Sequence, residues 1–239
     1  MKIFAILSVL LMALSAASGA SAYEVSPMRQ VIEPSRGVNT GLITITNTRS
    51  EPLPVEIVVM RRTYDDEGEQ TLVEDDSEFV VFPPQALIEP GQSQAVRFQY
   101  LGDIEDPVSR GYVLDVREIP VELDGFSGFR FVYNFGVAVY VRADKAESDL
   151  TIENATVADD VLMVKFRNDG RYFGRLTNDR LDLKTRDGKD VTVLEGDTLM
   201  SRLENPMIPP AMSRTVRLDV SDLDLPDGPV DIRLRETRD

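Results

Sequence analysis

The chain has 239 residues, with 41 Asp and Glu against 26 Lys and Arg and a formal charge of −15. It holds no His and no Cys, which excludes a Ser-His-Asp triad, a thiol nucleophile, a His/Cys metal centre and any disulfide staple. Such acidity also argues against a nucleic-acid backbone or an anionic membrane surface as partner.

The first 22 residues read MKIFAILSVLLMALSAASGASA. Lys2 is a short positive start, Ile3 to Leu14 is an apolar run, and Ala20-Ser21-Ala22 supplies the small residues of a signal-peptidase site. This predicts export, with cleavage after Ala22. The run is shorter than the roughly 20 apolar residues that cross a bilayer, and no later segment comes closer, so no membrane span is expected.

From there the pattern is short alternating runs separated by turns. Ile43 and Ile45 alternate with Thr44 and Thr46; Val55, Ile57 and Val59 form the next face. Glu89-Pro90-Gly91-Gln92 predicts a tight turn, with Pro at its second position and Gly at its third. Val96, Phe98 and Tyr100 follow, then Tyr112, Leu114 and Val116. Helical periodicity is almost missing, and the pattern is that of an antiparallel sandwich. After Arg142 the chain turns polar: residues 144–149 are expected to be an interdomain linker. A second set of strands is predicted over 150–157, 161–168, 181–185, 191–194, 214–220 and 230–236. The expectation is an all-β molecule of two immunoglobulin-like sandwiches, residues 23–143 and 150–239.

One stretch stands apart. Phe129 to Arg142, FRFVYNFGVAVYVR, predicts a single strand much longer than the usual 5–6 or so residues. Phe129, Phe131, Tyr133, Phe135, Val137, Val139 and Val141 share one face by the period of two. That is more apolar surface than one small domain needs, and at a sheet edge it invites another chain to add on. The segment therefore suggests a protein that lends a strand to a partner. Enzymatic chemistry is left only with carboxylate pairs, and the acidic residues fall mostly in turns such as 65–67, 74–76 and 159–160. There is no calcium loop, no phosphate-binding glycine loop and no expected cofactor.

Three segments, in order, resemble the PapD-like periplasmic chaperones of pilus assembly: Ser26 to Ile32 (SPMRQVI), Phe82 to Phe98 (FPPQALIEPGQSQAVRF), and Arg117 to Pro120 (REIP) followed by the long strand ending Tyr140-Val141-Arg142. The likeness covers roughly residues 23 to 142, with a short loop at 121–128. It implies two sandwiches set as an L and a non-enzymatic chaperone that completes a pilus or fimbrial subunit with its own strand. It implies the donor residues Phe129, Phe131, Tyr133 and Phe135, an outer-membrane usher as second partner, and Arg29 as anchor for the subunit's C-terminal carboxylate. The family's second basic anchor falls on Ala138, leaving Arg142 or Lys145 as the nearest replacements; the family role of Arg142 is an interdomain ion pair. The aromatic face is also compatible with weak self-association of the free protein. The residues alone leave a second reading open: an exported two-domain binding or structural module of the cell surface, with the 129–135 aromatics in its own core.

Overall fold

The computed structural model describes residues 23–120, 132–176, 179–184, 190–223, 225 and 227–236. The leader with its expected cleavage site, the 121–128 loop and the donor candidates Phe129 and Phe131 lie outside these residues.

The first sandwich is built from ten strands: β1 (Glu24–Ser26), β2 (Arg29–Ile32), β3 (Thr40–Thr46), β4 (Leu53–Tyr64), β5 (Gln70–Glu74), β6 (Phe79–Phe82), β7 (Gln85–Ile88), β8 (Ser93–Tyr100), β9 (Arg110–Glu118) and β10 (Asn134–Val141). One sheet has the order β1-β3-β8-β6, the other β2-β10-β9-β4-β5 with β7 also on β4. The alternation read in the sequence becomes burial. Ile43, Ile45, Val96 and Phe98 from the first sheet face Val55, Val59, Tyr112, Leu114, Val116, Val137 and Val139 from the second, each at most 3% exposed. The chain changes sheets at Pro27: β1 pairs antiparallel with β3, whereas β2 pairs parallel with β10. The 89–92 turn forms as its residues dictate, with Gly91 at φ 70° and the Gln92 amide donating to the Glu89 carbonyl at 3.0 Å. Asn47 is fully buried, and its side-chain amide is satisfied by the carbonyls of Glu51 and Ile88, both at 2.8 Å.

The second set of strands has a separate core around Leu162, Val164, Phe166, Leu181, Leu183 and Leu218. It comprises β11 (Leu150–Ala158), β12 (Val161–Asn168), β13 (Gly174–Arg175), β14 (Asp179–Lys184), β15 (Asp190–Leu194), a one-turn helix α1 (Gly196–Met200), β16 (Met207–Ile208), β17 (Met212–Asp219), β18 (Gly228–Pro229) and β19 (Asp231–Glu236). Its sheets run β17-β12-β11-β18 and β15-β14-β19, with β13 and β16 as a separate pair.

The polar stretch between the cores is tied down. Ala146 is fully buried and its amide bonds back to the Ala143 carbonyl at 3.1 Å. The amides of Arg171 and Tyr172 both donate to the Glu147 carbonyl, and Asp149 receives the amide of Asp169. Across the junction the Ser109 amide donates to the Arg171 carbonyl at 2.9 Å, and Arg214 faces Glu69 at 3.8 Å. Gly111 is what lets the two halves approach: a Cβ there would come within 2.9 Å of Arg62 Cδ and 3.1 Å of Phe173 Cζ.

Candidate functional site: an open strand edge beside an unpaired arginine

Strand β10 is central to its sheet in one half and an edge in the other. On one side β9 pairs with all of it, from Asn134 opposite Arg117 to Val141 opposite Arg110. On the other side β2 covers only Ala138 to Val141. Among the described residues, nothing pairs with that edge over Asn134–Val137. The amides of Ala138 and Arg142 donate toward the β2 side, to the carbonyls of Met28 and Ile32, so by the period of two the amides of Asn134 and Gly136 face the open edge.

The same gradient runs along the apolar stripe. Val137 and Val139 are fully buried and Val141 nearly so, Phe135 is half-buried, and Tyr133 is 37% exposed, with Val132 beside it at 45%. The long strand expected over 129–142 starts, among the described residues, at Asn134; Val132 and Tyr133 precede it without ladder partners. The Phe135 ring packs partly on its own core and meets Tyr23 edge-on, with centroids 4.7 Å apart. Of the two described donor candidates, Tyr133 is the more exposed.

Tyr133 is held where it leaves the core. The Tyr23 hydroxyl contacts two carbonyls, Val116 at 2.9 Å and Tyr133 at 2.8 Å. Arg49 lies over both rings, 5.7 Å from that of Tyr23 and 5.9 Å from that of Tyr133. It also makes a bidentate pair with the fully buried carboxylate of Glu118, at 2.7 and 2.8 Å. The hydrogen bond to Glu118 raises the Arg49 pKa above its ordinary value, and burial raises that of Tyr23. This cluster was not foreseen from sequence, because its hydrogen bonds span 69 to 110 positions.

Arg29 sits at the other end of the open edge, directly across from Ala138. It is exposed, and its guanidinium lies over the Tyr140 ring at 5.1 Å. Among the described residues no carboxylate pairs with it, in a chain where acids outnumber bases. Tyr140, only 4% exposed, is a platform: Arg62 lies 5.9 Å from the same ring, and Phe173 of the second sandwich packs edge-on at 4.9 Å. Near it stands the half-buried Tyr172, whose pKa is raised by burial against the opposing charges of Arg29 and Arg142.

The two proposed substitutes for a second anchor are placed differently. Arg142 is at the junction, but its carboxylate partner is Glu33 of the first sandwich at 3.5 Å, and its Nε donates to the Ala146 carbonyl at 2.8 Å. The expected interdomain ion pair is thus corrected to a stacking contact, Arg142 over the Tyr172 ring at 4.9 Å. Lys145 stands in solvent with its side chain 83% exposed, 4.0 Å from Asp144. Sequence reasoning missed Tyr172; a lone Tyr in a turn between strands carries no signal of its own. No group of three metal-ligating side chains occurs among the described residues, and no helix there is long and apolar enough to cross a membrane.

Residues 25–128 match the family model described as pili and flagellar-assembly chaperone, PapD N-terminal domain. No match is found among curated protein sequences. Solved structures do match. A chain of the chaperone–tip adhesin complex of CFA/I fimbriae biogenesis aligns with a TM-score of 0.56 at 14% identity, over 89% of this chain and 99% of that one. A chain of the CsuC–CsuE pre-assembly complex from the archaic Csu pili of Acinetobacter baumannii gives 0.55 at 15%, over 82% and 89%. One from the Salmonella enterica SafA pilin–SafB chaperone complex gives 0.54 at 14%, over 92% and 99%. At such identities what is shared with these structures is the fold. Residues 25–128 thus match the PapD N-terminal domain, and the two sandwiches together share the fold of these chaperone structures.

Proposed function

We propose that this protein is an exported, non-catalytic chaperone that holds a pilus or fimbrial subunit by donor-strand complementation and delivers it to an outer-membrane usher. The observation that carries the reading is the edge of β10 over Asn134–Val137, open among the described residues and ending at an arginine that no carboxylate there pairs with. A peptide strand laid on that edge continues the line of β2. If its terminal carboxylate sits at Arg29, the strand runs parallel to β10, as β2 does. The edge supplies main-chain hydrogen bonds, the side chains at Tyr133 and before it fill alternate pockets of the subunit, and Arg29 fixes the register. Each aromatic side chain so buried is worth at most about 1.5–3 kcal/mol, part of which offsets lost translational freedom. The N-terminal leader, cleaved after Ala22, takes the chain to the periplasm, where such subunits are met.

The test is capture in the cell of origin. The purified protein is expected to carry a pilus-type subunit, identified by mass spectrometry, and Phe131→Asp or Arg29→Ala is expected to abolish that capture. Capture that survives both changes overturns the mechanism. A melting temperature for Phe131→Asp close to wild type separates donor from core; a collapse of the fold would instead support the binding-module reading.

A further inference from the structure

We infer that Arg62, from β4, is the second cation of the Arg29 site, so that two guanidiniums gathered on one ring hold the partner's chain-terminal carboxylate. The inference rests on the function proposed above and concerns the same site. Both arginines lie over the Tyr140 ring, Arg29 at 5.1 Å from its centre and Arg62 at 5.9 Å. They reach it from different strands. Arg29 stands on β2 across from Ala138, which shares a face of β10 with Tyr140. Arg61 of β4 pairs with Tyr112, so Arg62 lies toward Gly111, and Gly111 pairs with Tyr140. Gly111 has no side chain, and the Arg62 stem takes that place: a Cβ on Gly111 would come within 2.9 Å of Arg62 Cδ. The guanidinium is thereby carried across β9 to the ring.

Two like charges on one ring repel, and the negative face of the ring offsets only part of that. Elsewhere this acidic chain supplies carboxylates to its arginines: Arg61, the neighbour of Arg62, faces Asp75 at 3.7 Å, and Arg142 faces Glu33 at 3.5 Å. Among the described residues no carboxylate pairs with Arg29 or with Arg62. Arg62 Nη1 donates to the side-chain oxygen of Gln70, a neutral partner that steers the guanidinium and leaves its charge uncancelled. Its Nε is buried with no acceptor among the described residues. A buried donor left unmet costs free energy, and an arriving carboxylate that takes it together with Nη2 in two parallel bonds removes that cost. One carboxylate offers about four lone-pair sites, enough for both guanidiniums. The anion turns the repulsion between the two cations into attraction to itself; a chain end capped as an amide is neutral and does not.

The experiment uses the full chaperone and a synthetic peptide with the C-terminal strand sequence of the subunit that co-purifies, made as free acid and as amide. Wild type is expected to prefer the acid. Arg62→Gln removes the charge and is expected to weaken acid binding about tenfold, the scale of one charge-assisted hydrogen bond, with amide binding unchanged. Arg62→Lys keeps the charge without the fork and should recover part of the loss. Because both cations grip one group, Arg62→Gln added to Arg29→Ala should cost less than Arg62→Gln alone. Acid binding by Arg62→Gln equal to wild type, or an equal loss for acid and amide, overturns the inference and leaves the proposed function standing. A wild type that binds acid and amide alike overturns the carboxylate reading of Arg29, and this inference with it. The acid-to-amide ratio cancels any loss common to both peptides, so a modest fall in the stability of the variant does not move it.

Discussion

Arg49 and Arg29 stand at opposite ends of the open half of β10 and are built alike. Each lays its guanidinium over an aromatic ring, Arg49 over Tyr23 and Tyr133, Arg29 over Tyr140. The difference is the carboxylate. Arg49 has one from its own chain, Glu118, buried and bonded through both oxygens; Arg29 has none among the described residues. A cation with a buried internal partner is part of the fold. A cation stacked, exposed and unmatched in an acidic protein is available to a partner's carboxylate. Between them runs the half of β10 that has lost its β2 neighbour, so the fixed and the vacant arginine bracket the strand edge assigned to the subunit.

The comparison breaks first at Arg49. Arg49→Ala removes two charge-assisted hydrogen bonds to the buried Glu118 carboxylate, each worth about 1.5–3 kcal/mol, and the loss is read as a large fall in denaturation midpoint. Arg29→Ala is expected to do the reverse: stability within about 0.5 kcal/mol of wild type, and a loss of about 2–5 kcal/mol in subunit affinity, read by titration. If the two variants exchange these phenotypes, the assignment of the two arginines is wrong. Ala138→Lys sharpens the vacant end by placing an ammonium across from Arg29, and should tighten binding of a free chain end by about 1.5 kcal/mol while an amidated end gains nothing. The smallest effect is alkaline. Burial holds the Tyr100 hydroxyl up to about 12, against an ordinary value near 10. A raised folded-state pKa contributes stability that is fully present below pH 10 and is lost as the pH rises toward 12. Tyr100→Phe is expected to flatten that alkaline limb without touching subunit binding, since Tyr100 is remote in the sheet order from β10's open edge.

The alternation of Ile43/Ile45, Val96/Phe98/Tyr100 and Tyr112/Leu114/Val116 was enough to read two-sheet packing, because period-two burial is written directly in strand sequences. The Pro90-Gly91 turn was legible for the same local reason. Short edge strands such as β5, β13 and β18 were not, since two to five residues paired on one side carry little pattern. At the site, Arg29 and the apolar stripe from Tyr133 onward were legible from the family motif and from periodicity. What alternation cannot report is where a stripe stops being core. Phe135 and Tyr133 share that stripe, and only Tyr23, packed edge-on against the first ring, separates their roles. Tyr172 and the Arg49–Glu118 pair depend on contacts between distant segments, and Arg142 gives its charge to Glu33 rather than across the junction; none of this is local information.

The central claim is that the edge of β10 before Ala138, and the segment leading into it, are completed by a partner. Amide hydrogen exchange over residues 129–137, with and without a captured subunit, addresses it most directly. The account predicts that these amides, Asn134 and Gly136 above all, gain strong protection in the complex, while those of Val139 to Val141, already inside the sheet, change little. Equal exchange across 129–137 in the free and the subunit-bound protein would contradict it.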